Sequence, residues 1–268
     1  MIQLEVRHVE CSVAAPPSRL PGLDRAVNPY RGCAHSCAYC YAQDVTRFET
    51  DRPWGDVVEA KVNIARRLKH ELSRDAKGVY GIGTVTDPYQ PLEEKLELTR
   101  SCLALLRRFG ARASVLTKSD LVLRDIDLMR DWPGVEVGMS IACADDATAA
   151  VVEPHAPPPT NRFGALARLS AAGVDVYLMA APIIPSLSGS RDQLESLVDA
   201  AHGSGVRRII WDMWSPKPIA SLRLREALDG VVAELAELAG SSRGARSSAE
   251  AVLASVCSDR GIQLVSAF

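Results

Sequence analysis

Three of the seven cysteines in this 268-residue chain, Cys33, Cys37 and Cys40, fall within eight residues with the spacing C-x3-C-x2-C. Thiolates so close in sequence can wrap one inorganic centre, and three of them can ligate three corners of a [4Fe–4S] cubane. No fourth cysteine stands nearby, which leaves one iron open to a small-molecule ligand. Two other readings stand beside this one. A structural zinc site wants four closed ligands; His35 is the local candidate for the fourth, and tetrahedral ligation from inside so tight a loop is strained. A ferredoxin-type run uses C-x2-C-x2-C with a partner cysteine, which this spacing does not match. An odd cysteine count in a chain without a charged-then-apolar leader predicts reduced thiols and a cytoplasmic location, not a disulfide framework.

The elements that must hold this loop follow from hydrophobic periodicity. A short strand runs into the loop at Gly32, and further strands are predicted at 79–85, 113–117, 135–142, 174–181 and 206–211. Between them, helices are predicted at 92–109, 121–129, 162–172 and 192–202, and residues 57–72 begin extended and turn helical. Ile64, Leu68 and Leu72 then form one apolar face at a spacing of four. Gly110, Gly173 and Gly205 each sit between a helix and a strand, where a left-handed cap is wanted. Strands alternating with helices imply βαβ units and a parallel sheet. About six units are too few for a closed eightfold barrel, so the expected fold is α/β, a partial (β/α)6 TIM-type barrel over residues 26–220. A short N-terminal extension (1–25, irregular and broken by prolines) precedes it. A C-terminal helical cap (221–268) follows, with a helix, a Gly/Ser/Arg-rich linker at 240–248, another helix and a last strand near 263–265.

Composition narrows the function. With 47% hydrophobic and 24% charged residues the chain is an ordinary globular protein, and its longest apolar run, 176–185, is about half a membrane span. The net charge is −2, with basic and acidic residues interleaved. A duplex binder usually carries a basic stripe, so DNA is not an expected partner and a small molecule is the expected substrate.

The loop NPYRGCAHSCAYCYAQ (28–43) resembles the signature of the radical S-adenosylmethionine (SAM) superfamily, and more narrowly its spore photoproduct lyase-like branch, whose loop has the form G-C-x3-C-x-Y-C-Y-x-Q. The similarity in pattern runs on through TDPYQ (86–90), VLTKS (115–119), GMSI (138–141) and AAPIIP (180–185). The resemblance implies a [4Fe–4S] cluster on Cys33, Cys37 and Cys40, with SAM chelated by the open iron and cleaved after reduction by a flavodoxin- or ferredoxin-like partner. Hydrogen abstraction from substrate by a 5′-deoxyadenosyl radical would follow. It also implies SAM contacts from Tyr39, Tyr41, Thr86, Lys118, Ser140 and Ala181. Lys118 would meet the carboxylate, and small residues at 180–181 would admit the adenine. Thr84 and Asp87 would face substrate, Asp87 having an Asp-Pro turn as its alternative reading. Cys143, just past a predicted strand, is read as a hydrogen donor, as a ligand of a second cluster in a sulfur-inserting enzyme, or as a buried apolar side chain. Repair of a DNA photoproduct is disfavoured because Thr84 stands where the lyase carries its hydrogen-donating cysteine, and because the chain lacks basic charge. Trp211 and Trp214 are read either as a platform for a flat substrate or as packing for the C-terminal helices.

Overall fold

The computed structural model describes residues 4–228 and 242–267. Among the described residues ten strands form two sheets: β1 (Glu5–Val9), β2 (Arg25–Val27), β3 (Tyr30–Arg31), β4 (Val57–Lys61), β5 (Val79–Ile82), β6 (Arg112–Thr117), β7 (Val135–Ser140), β8 (Asp175–Ile183), β9 (Arg208–Met213) and β10 (Gln263–Ser266). The larger sheet has the order β10-β9-β8-β7-β6-β5-β2, and every pair in it is parallel. From β2 to β9 the strands lie in chain order, the partial barrel expected from the alternation. Its ends, β2 and β10, are not paired with each other, so the sheet stays open.

Burial explains the apolar runs. Val115, Val137, Met139, Leu178 and Ile209 lie in register on one face of the sheet and are fully buried, while Ser114, Gly138 and Tyr177 of the opposite face are buried too. Ile64, Leu68 and Leu72 of the helix Ile64–Leu72 face the same core. Gly110, Gly173 and Gly205 all have positive φ, the left-handed caps their positions call for.

Four local features differ from the sequence expectation, each for a tertiary reason. β1 lies in the stretch read as irregular. It pairs in parallel with β4, from Glu5 opposite Val57 to Val9 opposite Lys61, in a small second sheet of order β1-β4-β3. The predicted helix 92–109 is two helices, Glu93–Leu96 and Leu98–Arg108, parted at Glu97, whose φ is +49°. The buried Glu93 carboxylate causes the break by accepting the amides of Thr99 (2.9 Å) and Arg100 (3.2 Å), which caps the second helix. The predicted linker is helical from Ser242 on, within Ser242–Asp259, because Ala249, Leu253 and Val256 pack on the barrel core; Gly240 lies outside the described residues. Finally, β10 does more than follow the cap: it joins the barrel sheet beside β9. Among the described residues no helix is long and apolar enough to cross a membrane.

Candidate active site at the carboxyl ends of the strands

The cysteine loop leaves β3 at Gly32, whose φ of +81° suits glycine alone, and a Cβ there would stand 2.4 Å from the Val57 carbonyl oxygen. Beyond it, side chains hold the loop by its backbone. Gln90, fully buried, accepts the Ala34 amide at Oε1 (2.9 Å) and donates from Nε2 to the Gly32 carbonyl (3.3 Å) and Thr86 Oγ1 (3.1 Å). Thr86 Oγ1 donates to the same Gly32 carbonyl (2.6 Å). Ser36, at φ +53°, donates its hydroxyl to the Trp54 carbonyl (2.7 Å). Gln90 closes the TDPYQ motif, and its spacing of four from Thr86 is the sequence signal for this role.

Cys33 and Cys37 are buried and Cys40 half-buried. Burial, and then the nearby Glu153 charge, pushes the Cys37 thiol well above its ordinary range, and burial with the neighbouring Cys33 pushes Cys40 up to about 11. The three sulfurs therefore feel one another, and a bound cationic centre reverses that logic by deprotonating its thiols outright. Among the described residues no three His, Cys, Asp or Glu side chains are gathered as around a single metal ion. A cubane asks for a wider triangle, because each thiolate takes a different iron. His35 Nδ1 lies instead 3.3 Å from Asp87 Oδ2. The donor set thus suits a cluster with three protein ligands.

Asp87 braces the end of β5 against β6 and the loop. Its oxygens accept the Tyr89 amide (2.9 Å), the Thr117 hydroxyl (2.6 Å) and the Lys118 amide (2.7 Å). Against the upward push of burial, His35 and these donors hold its carboxyl at about 2. Thr84 Oγ1 accepts from Asn28 Nδ2 (2.8 Å), and the exposed Tyr41 donates its hydroxyl to the Thr84 carbonyl (2.5 Å), linking the last cysteine's neighbour to the end of β5.

Lys118, Ser140 and Ala181 come together at the ends of the adjacent strands β6, β7 and β8. Lys118 Nζ donates to Ser140 Oγ (2.5 Å), which donates to the Ala181 carbonyl (3.3 Å). Glu153 lies behind this row and was missed from sequence. Its Oε1 is 3.5 Å from Lys118 Nζ and accepts the Tyr39 hydroxyl, while the Arg162 guanidinium holds its other oxygen. Arg162 also donates to the carbonyls of Ser140 (3.0 Å) and Pro157 (2.7 Å). Lys118 lies over the Tyr39 ring, 5.5 Å from its centroid. Burial lowers the Lys118 ammonium and raises the Glu153 carboxyl, although Arg162 pulls the latter back down. The loop and the ends of three strands are thereby one connected network.

Cys143 is buried, with Sγ 3.6 Å from the Asp145 carbonyl, and burial pushes its thiol up to about 11. Among the described residues, Cys11, Cys102, Cys143 and Cys257 supply no group of three metal ligands. Trp211 is core packing: it is buried under the C-terminal helix, with the Arg246 guanidinium 5.0 Å from its ring centroid. Trp214 packs beside Cys37, Tyr39 and Ile184.

The sequence profile of the Radical SAM superfamily matches residues 27–201, more than half of the chain. An uncharacterised protein of Methanocaldococcus jannaschii is 34% identical over 185 residues, covering 69% of this chain and 70% of that protein. An uncharacterised protein of Mycobacterium tuberculosis is 35% identical over 191 residues, 67% of this chain, which spans only 56% of that relative's length. Among solved structures, a cysteine-to-alanine mutant of spore photoproduct lyase superposes with a TM-score of 0.76 at 14% identity, covering 99% of this chain and 82% of that one. At that identity the likeness is one of fold.

Proposed function

This chain belongs to the radical SAM superfamily, whose members use a [4Fe–4S] cluster and SAM, and from that premise we propose that Cys33, Cys37 and Cys40 hold the cluster while Lys118 and Ser140 receive the SAM carboxylate. When bound, the pair supplies reductive cleavage of SAM and hydrogen abstraction from substrate by the resulting 5′-deoxyadenosyl radical. The observation that carries this reading is the row formed by Lys118, Ser140 and the Ala181 carbonyl, joined to the cysteine loop through Glu153 and Tyr39.

Each side chain has a task in the reading. Lys118 presents a compact positive charge, and Ser140 turns that charge toward the strand ends. Glu153, fixed by Arg162, holds Lys118 in place until an incoming carboxylate competes for it. The small Ala181 leaves room for a flat base beside the β8 backbone. Tyr41, exposed and anchored to Thr84, is a wall for SAM. Asp87 and Thr86 act by bracing. Cys143, just past β7, and Thr84, just past β5, are assigned to the substrate side of the site, Cys143 as a hydrogen-atom donor. A small substrate is supported by the charge balance, a net charge of −2 with basic and acidic residues interleaved, which gives a duplex no basic stripe.

Reduced, iron-replete protein mixed with SAM under anaerobic conditions is expected to release 5′-deoxyadenosine and methionine, detected by chromatography. Lys118→Met is expected to raise the Kd for SAM about tenfold or more with iron content unchanged, because a hydrogen bond to a charged group contributes roughly 1.5–3 kcal/mol. No 5′-deoxyadenosine from iron-replete wild type would sink the proposal. Tight duplex-DNA binding that weakens steeply with salt would instead move the substrate assignment to DNA.

A further inference from the structure

The helix Pro218–Leu228 lies outside the segment matched by the superfamily profile, yet it is tied to the cysteine loop at two places. Asp44, in the short helix Ala42–Thr46 just past Cys40, accepts the Ile219 amide at Oδ1 (2.9 Å) and the Ala220 amide at Oδ2 (3.1 Å), capping the helix start. One turn on, Arg223 reaches back with both terminal nitrogens. Nη1 donates to the Cys37 carbonyl (3.0 Å), and Nη2 donates to the Ser36 carbonyl (2.9 Å) and Ser36 Oγ (3.1 Å). Ser36 is the left-handed residue that turns the chain between Cys33 and Cys37. A guanidinium stays charged at any working pH, and it presents several donors in a fixed plane. Here that plane spans the carbonyls that face it and sets a permanent positive charge against Cys37 and Cys40.

We infer that Arg223 is a positioning residue that fixes the turn of the cysteine loop and raises the reduction potential of the cluster the loop holds. The inference rests on the proposed assignment of Cys33, Cys37 and Cys40 as ligands. Reduction adds one electron, delivered by a low-potential carrier protein or by dithionite, and breaks no bond. A positive charge at the loop favours the reduced form, since net charge and hydrogen bonding near the thiolates are among the determinants of such potentials. Other charges act on the same thiols: Lys118 from β6 adds to the effect, and Glu153 opposes it at Cys37. Arg223 differs from these in bonding the backbone of the loop, from a helix beyond the segment matched by the superfamily profile.

The test is a redox titration followed by the electron paramagnetic resonance signal of the reduced cluster, with iron and sulfide counted on every sample. Wild type, Arg223→Lys and Arg223→Gln are compared. Arg223→Gln is expected to hold about four irons and to have a midpoint lower by the equivalent of about tenfold in the equilibrium, or about 59 mV for one electron. Arg223→Lys is expected to remain near wild type. A fully loaded Arg223→Gln with an unmoved midpoint overturns the inference, as does an equal drop in Arg223→Lys. Should Arg223→Gln lose iron, the titration passes to Glu226→Lys, an exposed position on the same helix that acts on Arg223. An upward shift is expected there, and none with iron intact overturns the inference. Wild type without iron and sulfide would overturn the cluster assignment, and this inference with it.

Discussion

Replacing Cys33, Cys37 and Cys40 together by alanine is expected to lower iron from about four per reconstituted chain to almost none and to abolish 5′-deoxyadenosine formation. Each thiolate takes a separate iron, so no other ligand on the loop can stand in. His35, the one histidine on the loop, is buried with its Nδ1 3.3 Å from Asp87 Oδ2. The fold is expected to survive, because the loop is held by its backbone. Gln90, Thr86 and Arg223 bond the carbonyls of Gly32, Ser36 and Cys37 and the amide of Ala34, whatever the cysteine side chains are. Circular dichroism of the variant should therefore match wild type while its iron is lost. About four irons surviving in the variant would mean a second cluster and would make sulfur insertion the better reading. That outcome is not expected, since Cys11 is bonded to Asn63 and Cys102 and Cys257 are buried within the apolar core. Zinc in place of iron would overturn the radical chemistry altogether.

What could be read from the sequence was whatever is written locally. The cysteine spacing, the apolar strands and the three capping glycines are all short-range signals, and the structure carries each of them. The features that escaped depend on partners distant in sequence. β1 has only Val6 and Val9 as apolar signals, and it becomes a strand because β4 offers it an edge. The break at Glu97 depends on Glu93, which is itself fixed by the Tyr30 hydroxyl (2.5 Å) and Arg124 (2.8 Å) from other elements. Glu153 follows two valines in a Pro-rich stretch and reads as a surface acid, yet it is buried where Tyr39, Lys118 and Arg162 converge. Arg223 lies 186 residues beyond the carbonyl of Cys37 that it bonds. Side chains that support a site were thus the least legible, because nothing in their own neighbourhood announces what they touch.

Arg162→Met is expected to destabilise the protein by about 3–5 kcal/mol at pH 8, the usual cost of removing one partner from a buried ion pair. Arg162 and Glu153 are both almost wholly buried, and Arg162 also satisfies the carbonyls of Ser140 and Pro157. Lys118, 3.5 Å from Glu153, offsets the loss only in part, because its Nζ donates to Ser140 and burial already lowers its own ammonium. The pH dependence identifies the cause. Burial raises the Glu153 carboxyl above its ordinary value of 4.5, and Arg162 is the first influence pulling it back. A carboxyl raised in the folded state binds its proton more tightly there than in the unfolded chain. Stability therefore falls as pH climbs from the unfolded value through the folded one. Without Arg162 the folded value rises further, so the deficit of the variant should be smaller at pH 5 than at pH 8 in urea unfolding. Adding Glu153→Gln should remove most of that difference, since a neutral amide leaves no buried charge for the missing guanidinium to balance. A deficit equal at both pH values would mean that Arg162 contributes by packing and by its carbonyl bonds, and that Glu153 carries no charge in need of a partner.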